Sequence, residues 1–130
     1  MHVKQAVPFF MVANIEAASR WYIDRLGFTM KLSWRPEGKL EWCWLEIGDA
    51  SLMLQEYHRP PEGKLGLGVS ICFVCDDAVA FYREVTARGV DAKRPFVGNG
   101  MWVTSMSDPD GYRLDFESET DVAEDTELEG

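Results

Sequence analysis

The apolar and polar positions alternate most clearly near the end of the chain. Tyr112, Leu114 and Phe116 share one parity, and Arg113, Asp115 and Glu117 share the other. This period of two predicts a strand with two chemically different faces. Asp108-Pro109-Asp110-Gly111 stands just ahead of it. Proline presets φ at the second turn position and glycine accepts φ > 0, so a tight turn is predicted there. With the apolar face against a covering layer, Asp115 points the other way, into whatever the sheet encloses.

The same reading, taken from the start, predicts a strand over residues 4–12, with Pro8 marking an edge or rim. Asn14 is a suitable N-cap. Ile15, Ala18, Trp21, Tyr22 and Leu26 keep helical spacing, and Gly27 closes the helix. Strands follow over 28–34, 40–47 and 51–57, with turns at 35–38 and 48–49. Pro60, Pro61, Gly63, Gly66 and Gly68 mark 58–68 as a linker. Then the pattern restarts. Residues 69–75 form a strand, and Asp76 caps a helix carrying Ala78, Phe81, Tyr82 and Val85 on one face. Gly89 ends that helix. Strands at 90–96 and 101–107 flank a turn at 98–100.

Val7, Val12, Asn14 and Gly27 thus recur as Val69, Val74, Asp76 and Gly89, each 62 residues later. The chain is an internal repeat of two β-α-β-β-β modules, residues 3–57 and 69–118. The predicted class is α+β, with the modules forming a curved mixed sheet around a cleft.

Composition narrows the picture. With 130 residues, 46% of them hydrophobic, the chain suits one globular domain over 1–118. Residues 119–130 hold six acids and no base, which predicts a disordered, solubilising tail. Sixteen acids against thirteen bases remain, so the folded body is only mildly acidic. Without a basic face, nucleic-acid binding is not expected. No apolar run suits a membrane span, and Met1-His2-Val3-Lys4-Gln5 lacks a signal-peptide layout. Three cysteines, Cys43, Cys72 and Cys75, make no even framework and suggest a reducing, cytoplasmic setting. The C-x-x-C of Cys72 and Cys75 lies in an apolar run without a second pair, and reads as buried strand cysteines.

With the repeat, the Trp21-Tyr22…Leu26-Gly27-Phe28 segment and the D-P-D-G strand in hand, the sequence resembles the vicinal oxygen chelate superfamily over residues 3–118. That superfamily contains glyoxalase I, extradiol dioxygenases, fosfomycin-resistance enzymes and bleomycin-resistance proteins. The resemblance implies four metal-ligand positions, which fall here on Val7, Met53, Ser70 (or Val69 by the repeat) and Asp115. Valine offers no donor, methionine is a soft one, and one carboxylate does not hold a hard divalent ion against water. No metal and no cofactor are therefore expected, nor a catalytic residue. Neither histidine lies in a predicted strand or helix, so no Ser-His-Asp arrangement is visible.

The resemblance then implies the metal-free branch, which binds small molecules as a homodimer. Trp34, Trp42, Trp44 and Trp102 lie on predicted strands or strand ends, where flat rings grip planar ligands by stacking. Met53, Gln55 and Asp115 complete the candidate ligand-binding set, and Glu41 and Glu46 are further polar handles. Trp42 and Trp44 share parity, so both face a pocket or both lie under a helix, with Cys43 and Leu45 on the other side. The reading is a non-catalytic protein that sequesters an antibiotic-like planar ligand. The alternative is a lyase, isomerase or dioxygenase with an atypical metal site.

Overall fold

The computed structural model describes all 130 residues, which divide into two compact units, Met1–Lys64 and Leu65–Gly130. Each unit carries a four-stranded mixed sheet and one main helix.

In the first unit the elements are β1 (Phe9–Val12), α1 (Ile15–Trp21), β2 (Thr29–Trp34), β3 (Trp42–Ile47) and β4 (Ala50–Glu56). The sheet order is β1-β4-β3-β2, with β1 parallel to β4 and the other pairs antiparallel. The second unit repeats this with β5 (Ser70–Val74), α2 (Ala78–Ala87), β6 (Phe96–Gly98), β7 (Met101–Ser107) and β8 (Arg113–Glu119), ordered β5-β8-β7-β6. The α+β class and the doubled β-α-β-β-β module stand as the alternation predicts. The second strand of the second module is shorter and later than expected, Phe96–Gly98.

Each helix lies on one face of its own sheet, and that face is the core. Phe10, Val12, Cys43, Leu45, Leu52 and Leu54 are buried beneath Ile15, Ala18 and Tyr22. In the second unit Leu114, Phe116, Thr104 and Met106 lie on the α2 side. Helix starts are fixed twice over. Asn14 accepts the Ala17 N–H, and Asp77 accepts the Ala80 N–H. The last strand of each unit then reaches back to the first helical residue. Glu56 Oε1 accepts from Ile15 N–H at 3.1 Å, and Ser118 Oγ from Ala78 N–H at 2.8 Å.

The cap in the second unit is Asp77, not the expected Asp76. Thirteen positions separate Asn14 from Gly27, and twelve separate Asp77 from Gly89. The extra residue is absorbed as a π turn over Tyr22–Leu26, closed by Gly27 at φ 90°. Such turns are the ordinary way for a helix to take up one inserted residue. The 62-residue offset therefore holds from Val12 to Val74 and from Gly27 to Gly89, and slips by one at the helix cap.

The D-P-D-G turn forms as predicted, with Gly111 at φ 95° and its N–H on Asp108 O. Asp108 does more than open it. Its buried carboxylate accepts the N–H groups of both Asp110 and Tyr112 at 2.9 Å. Asn99-Gly100 joins β6 to β7 as a two-residue hairpin with both residues at positive φ.

The acidic tail differs from its expected disorder. Asp125 N–H donates to Val97 O, Val97 N–H to Thr126 O, and Leu128 N–H to Pro95 O, so the tail runs beside β6. Phe96 and Glu127 form an antiparallel bridge, and Glu124 accepts from the Asn99 and Gly100 amides. Composition predicted a solvated chain, yet these contacts are mostly backbone, and β6 is otherwise an unpaired edge.

Glu56 gives the first unit a pH-dependent brace. Its Oε2 accepts from Lys39 Nζ at 2.7 Å. That hydrogen bond lowers the Glu56 pKa; burial opposes it and the Ile15 N–H assists. A carboxyl held below its usual value stabilises the fold above about pH 4.3, and the contribution is lost as pH falls through the lowered value. The expected result is an acid-side fall in melting temperature that Glu56→Gln flattens. An identical acid limb in the variant would place the titration elsewhere.

Candidate functional site

The face of the first sheet that α1 leaves uncovered carries most of the candidate residues. In a paired sheet, residues directly opposite share a face. Phe9 pairs with Met53, Met53 with Trp44, and Trp44 with Leu32. The next row runs Met11, Gln55, Trp42, Trp34. Five predicted residues, Trp34, Trp42, Trp44, Met53 and Gln55, thus stand on one face, in two adjacent cross-strand rows. Between the two parities left open for Trp42 and Trp44, Cys43 and Leu45 are the core pair, each with no exposed surface. The tryptophans point the other way and keep part of their surface open.

Phe9, Met11, Leu32 and Trp34 are exposed on this face, at 46%, 38%, 52% and 55%. So many large apolar side chains side by side mark an interaction surface. Sequence reasoning missed Phe9, Met11 and Leu32. Phe9-Phe10-Met11-Val12 is apolar throughout, so no alternation tells its two faces apart. The register slips between Met30, which pairs with Leu45, and Leu32, which pairs with Trp44, and Lys31 lies at the slip. Lys31 Nζ lies 5.8 Å from the Trp44 ring centre and 3.6 Å from Glu46 Oε2. The Trp44 indole Nε1–H is buried and has no acceptor.

Asp115 and Trp102 belong to the second unit, where they part company. Trp102 pairs with Val97 and Ser118, the parity of Thr104 and Phe116, and so sits on the α2 face. The expected pocket position rested on its closeness to Gly100, whereas strand parity decides the face. Asp115 is on the uncovered face as expected, with Ser70, Cys72, Ser105, Arg113 and Glu117. It is buried, and its Oδ1 accepts from Ser105 Oγ at 2.5 Å and Arg113 Nε at 3.1 Å.

The cysteines offer no ready thiolate. Cys72 is exposed and Cys75 half-buried, not buried as expected, because strand parity puts Cys72 on the uncovered face. Partial desolvation, then the nearby carboxylate of Glu117, pushes the Cys72 thiol up to about 12. Its Sγ donates to Glu117 Oε2 at 2.6 Å, which favours the protonated form. Burial likewise pushes Cys43 up to about 11 and raises Cys75. A thiol held protonated is a poor nucleophile and a poor ligand. The positions that the resemblance implies for metal ligands, Val7, Met53, Ser70 and Asp115, do not fit a divalent ion either. Val7 gives no donor, Met53 a soft one and Ser70 a neutral hydroxyl, and Asp115 is the one carboxylate, with its Oδ1 engaged by Ser105 and Arg113.

Comparison with solved structures places this fold among known ones. The bleomycin resistance determinant encoded on transposon Tn5 is 25% identical, with a TM-score of 0.69, covering 90% of this chain and 98% of that one. TnmS3, an antibiotic binding protein from Streptomyces sp. CB03234, is 21% identical with a TM-score of 0.69, covering 92% and 100%. A glyoxalase-related enzyme from Clostridium phytofermentans is 15% identical with a TM-score of 0.74, covering 92% and 98%. No curated protein matches the chain. The family model for the glyoxalase/bleomycin resistance protein/dioxygenase superfamily matches residues 2–116, and the chain belongs to that superfamily.

Proposed function

We propose that this protein binds and sequesters a planar aromatic, antibiotic-like small molecule without altering it. The observation that carries the reading is the paired aromatic face of the first sheet. Trp34 and Trp42 pair across β2 and β3, with Trp44 on the next same-face row. Stacking on such rings contributes about 0.5–1.5 kcal/mol per pair beyond burial. The antibiotic-binding and bleomycin-resistance proteins of similar fold support a binding role. The reading includes a homodimer and a reducing cytoplasm, the latter supported by three free cysteines.

Titration with planar aromatic antibiotics should quench tryptophan fluorescence, with and without EDTA alike. Trp42→Ala should weaken binding by roughly tenfold while the protein still melts cooperatively. Metal-dependent turnover of the ligand would instead support the lyase, isomerase or dioxygenase alternative, and an absence of quenching would remove the binding reading.

A further inference from the structure

Lys31 stands at an irregularity in the sheet, between Met30, which pairs with Leu45, and Leu32, which pairs with Trp44. Irregularities of this kind are enriched beside functional sites. The Lys31 ammonium rests 5.8 Å from the Trp44 ring centre and 3.6 Å from the Glu46 carboxylate. An aromatic face beside a carboxylate is a seat for an organic cation. The protein's own ammonium occupies that seat, which shows that its size and charge suit one. Lys31 is half-exposed, so its side chain has room to swing into solvent.

We propose that Trp44 and Glu46 form a subsite for the cationic group of an aromatic ligand, and that Lys31 is its internal competitor. This rests on the ligand-binding reading of the same face and adds the charge class of the ligand. The ligand's cation displaces Lys31, stacks its positive charge on Trp44 and pairs with Glu46. An uncharged ligand has no such group and leaves Lys31 in place. A competitor present part of the time weakens apparent affinity by the fraction of protein it leaves free.

The test compares 9-aminoacridine, a cation near neutral pH, with acridine, which is uncharged there, by tryptophan quenching. Lys31→Met should bind 9-aminoacridine about three- to tenfold tighter and acridine unchanged. Glu46→Gln should weaken 9-aminoacridine by a similar factor. The double variant separates a seat from a general change in net charge. In a seat the two substitutions are coupled, whereas a long-range field effect leaves them additive. Unchanged 9-aminoacridine binding in both single variants, or equal shifts for the two probes, would overturn the competitor and its subsite while the aromatic face still binds. If neither probe quenches the wild type or Lys31→Met, the ligand-binding reading fails and this inference falls with it.

Discussion

Deleting residues 121–130 is expected to destabilise the protein by roughly 1–3 kcal/mol and to promote self-association. Three backbone hydrogen bonds tie this segment to Pro95 and Val97. Glu124 adds contacts to the Asn99 and Gly100 amides. Each is worth about 0.5–1.5 kcal/mol net, and the entropy of ordering the segment offsets part of the sum. The second effect follows from topology. β6 is the outer strand of its sheet, paired on one side with β7. The segment occupies its other side, and without it β6 presents free N–H and C=O groups to other chains. The measurement is the urea midpoint of the full chain and the truncated chain, with light scattering at equal concentration. Equal midpoints would show that the segment adds no stability. Glu124→Ala, which leaves the backbone pairing intact, should show a smaller loss and no association.

That segment also shows where sequence reading stops. Six acids in twelve residues describe how a side chain meets water, and the contacts that hold the segment come from the backbone. Composition is silent about those. The two-module fold, in contrast, was legible, because Gly27 and Gly89 close helices at matching places and the D-P-D-G turn fixes where β8 begins. The faces were legible only where polar and apolar residues alternate. Asp115 and Phe116 could be assigned from β8 alone. In Trp42-Cys43-Trp44-Leu45 every residue is apolar, and only the burial of Cys43 and Leu45 decides. Trp102 was misplaced for a related reason, since its face depends on pairing with Ser118 in another strand. Lys31 was not singled out, because its contacts with Trp44 and Glu46 cross to another strand, which the spacing of β2 alone does not show.

Two neighbouring substitutions in β8 should behave in opposite ways. Phe116→Ala is expected to cost about 3–5 kcal/mol, among the largest effects of any single change in the chain. Its ring is 2% exposed, lies 4.8 Å from Phe73 in a stacked arrangement, and meets Phe81 of α2 at 4.2 Å. Truncation therefore opens a cavity between α2 and its sheet and removes two aromatic contacts. The neighbourhood cannot collapse readily, because Ala78 is fixed from both sides: its N–H donates to Ser118 Oγ and its O accepts from Thr104 Oγ1. Asp115→Asn, one residue earlier, faces the other way. It keeps the shape and a hydrogen-bond acceptor for Ser105, and it loses the charge that pairs with the half-exposed Arg113. An ion pair with one exposed partner is worth about 1 kcal/mol or less, so the loss should be small. Denaturant titration of both variants checks the contrast. A mild Phe116→Ala with a severe Asp115→Asn would reverse the faces of β8. The expected order instead ties α2 to the Phe116 side and leaves the Asp115 side as the uncovered face of its sheet.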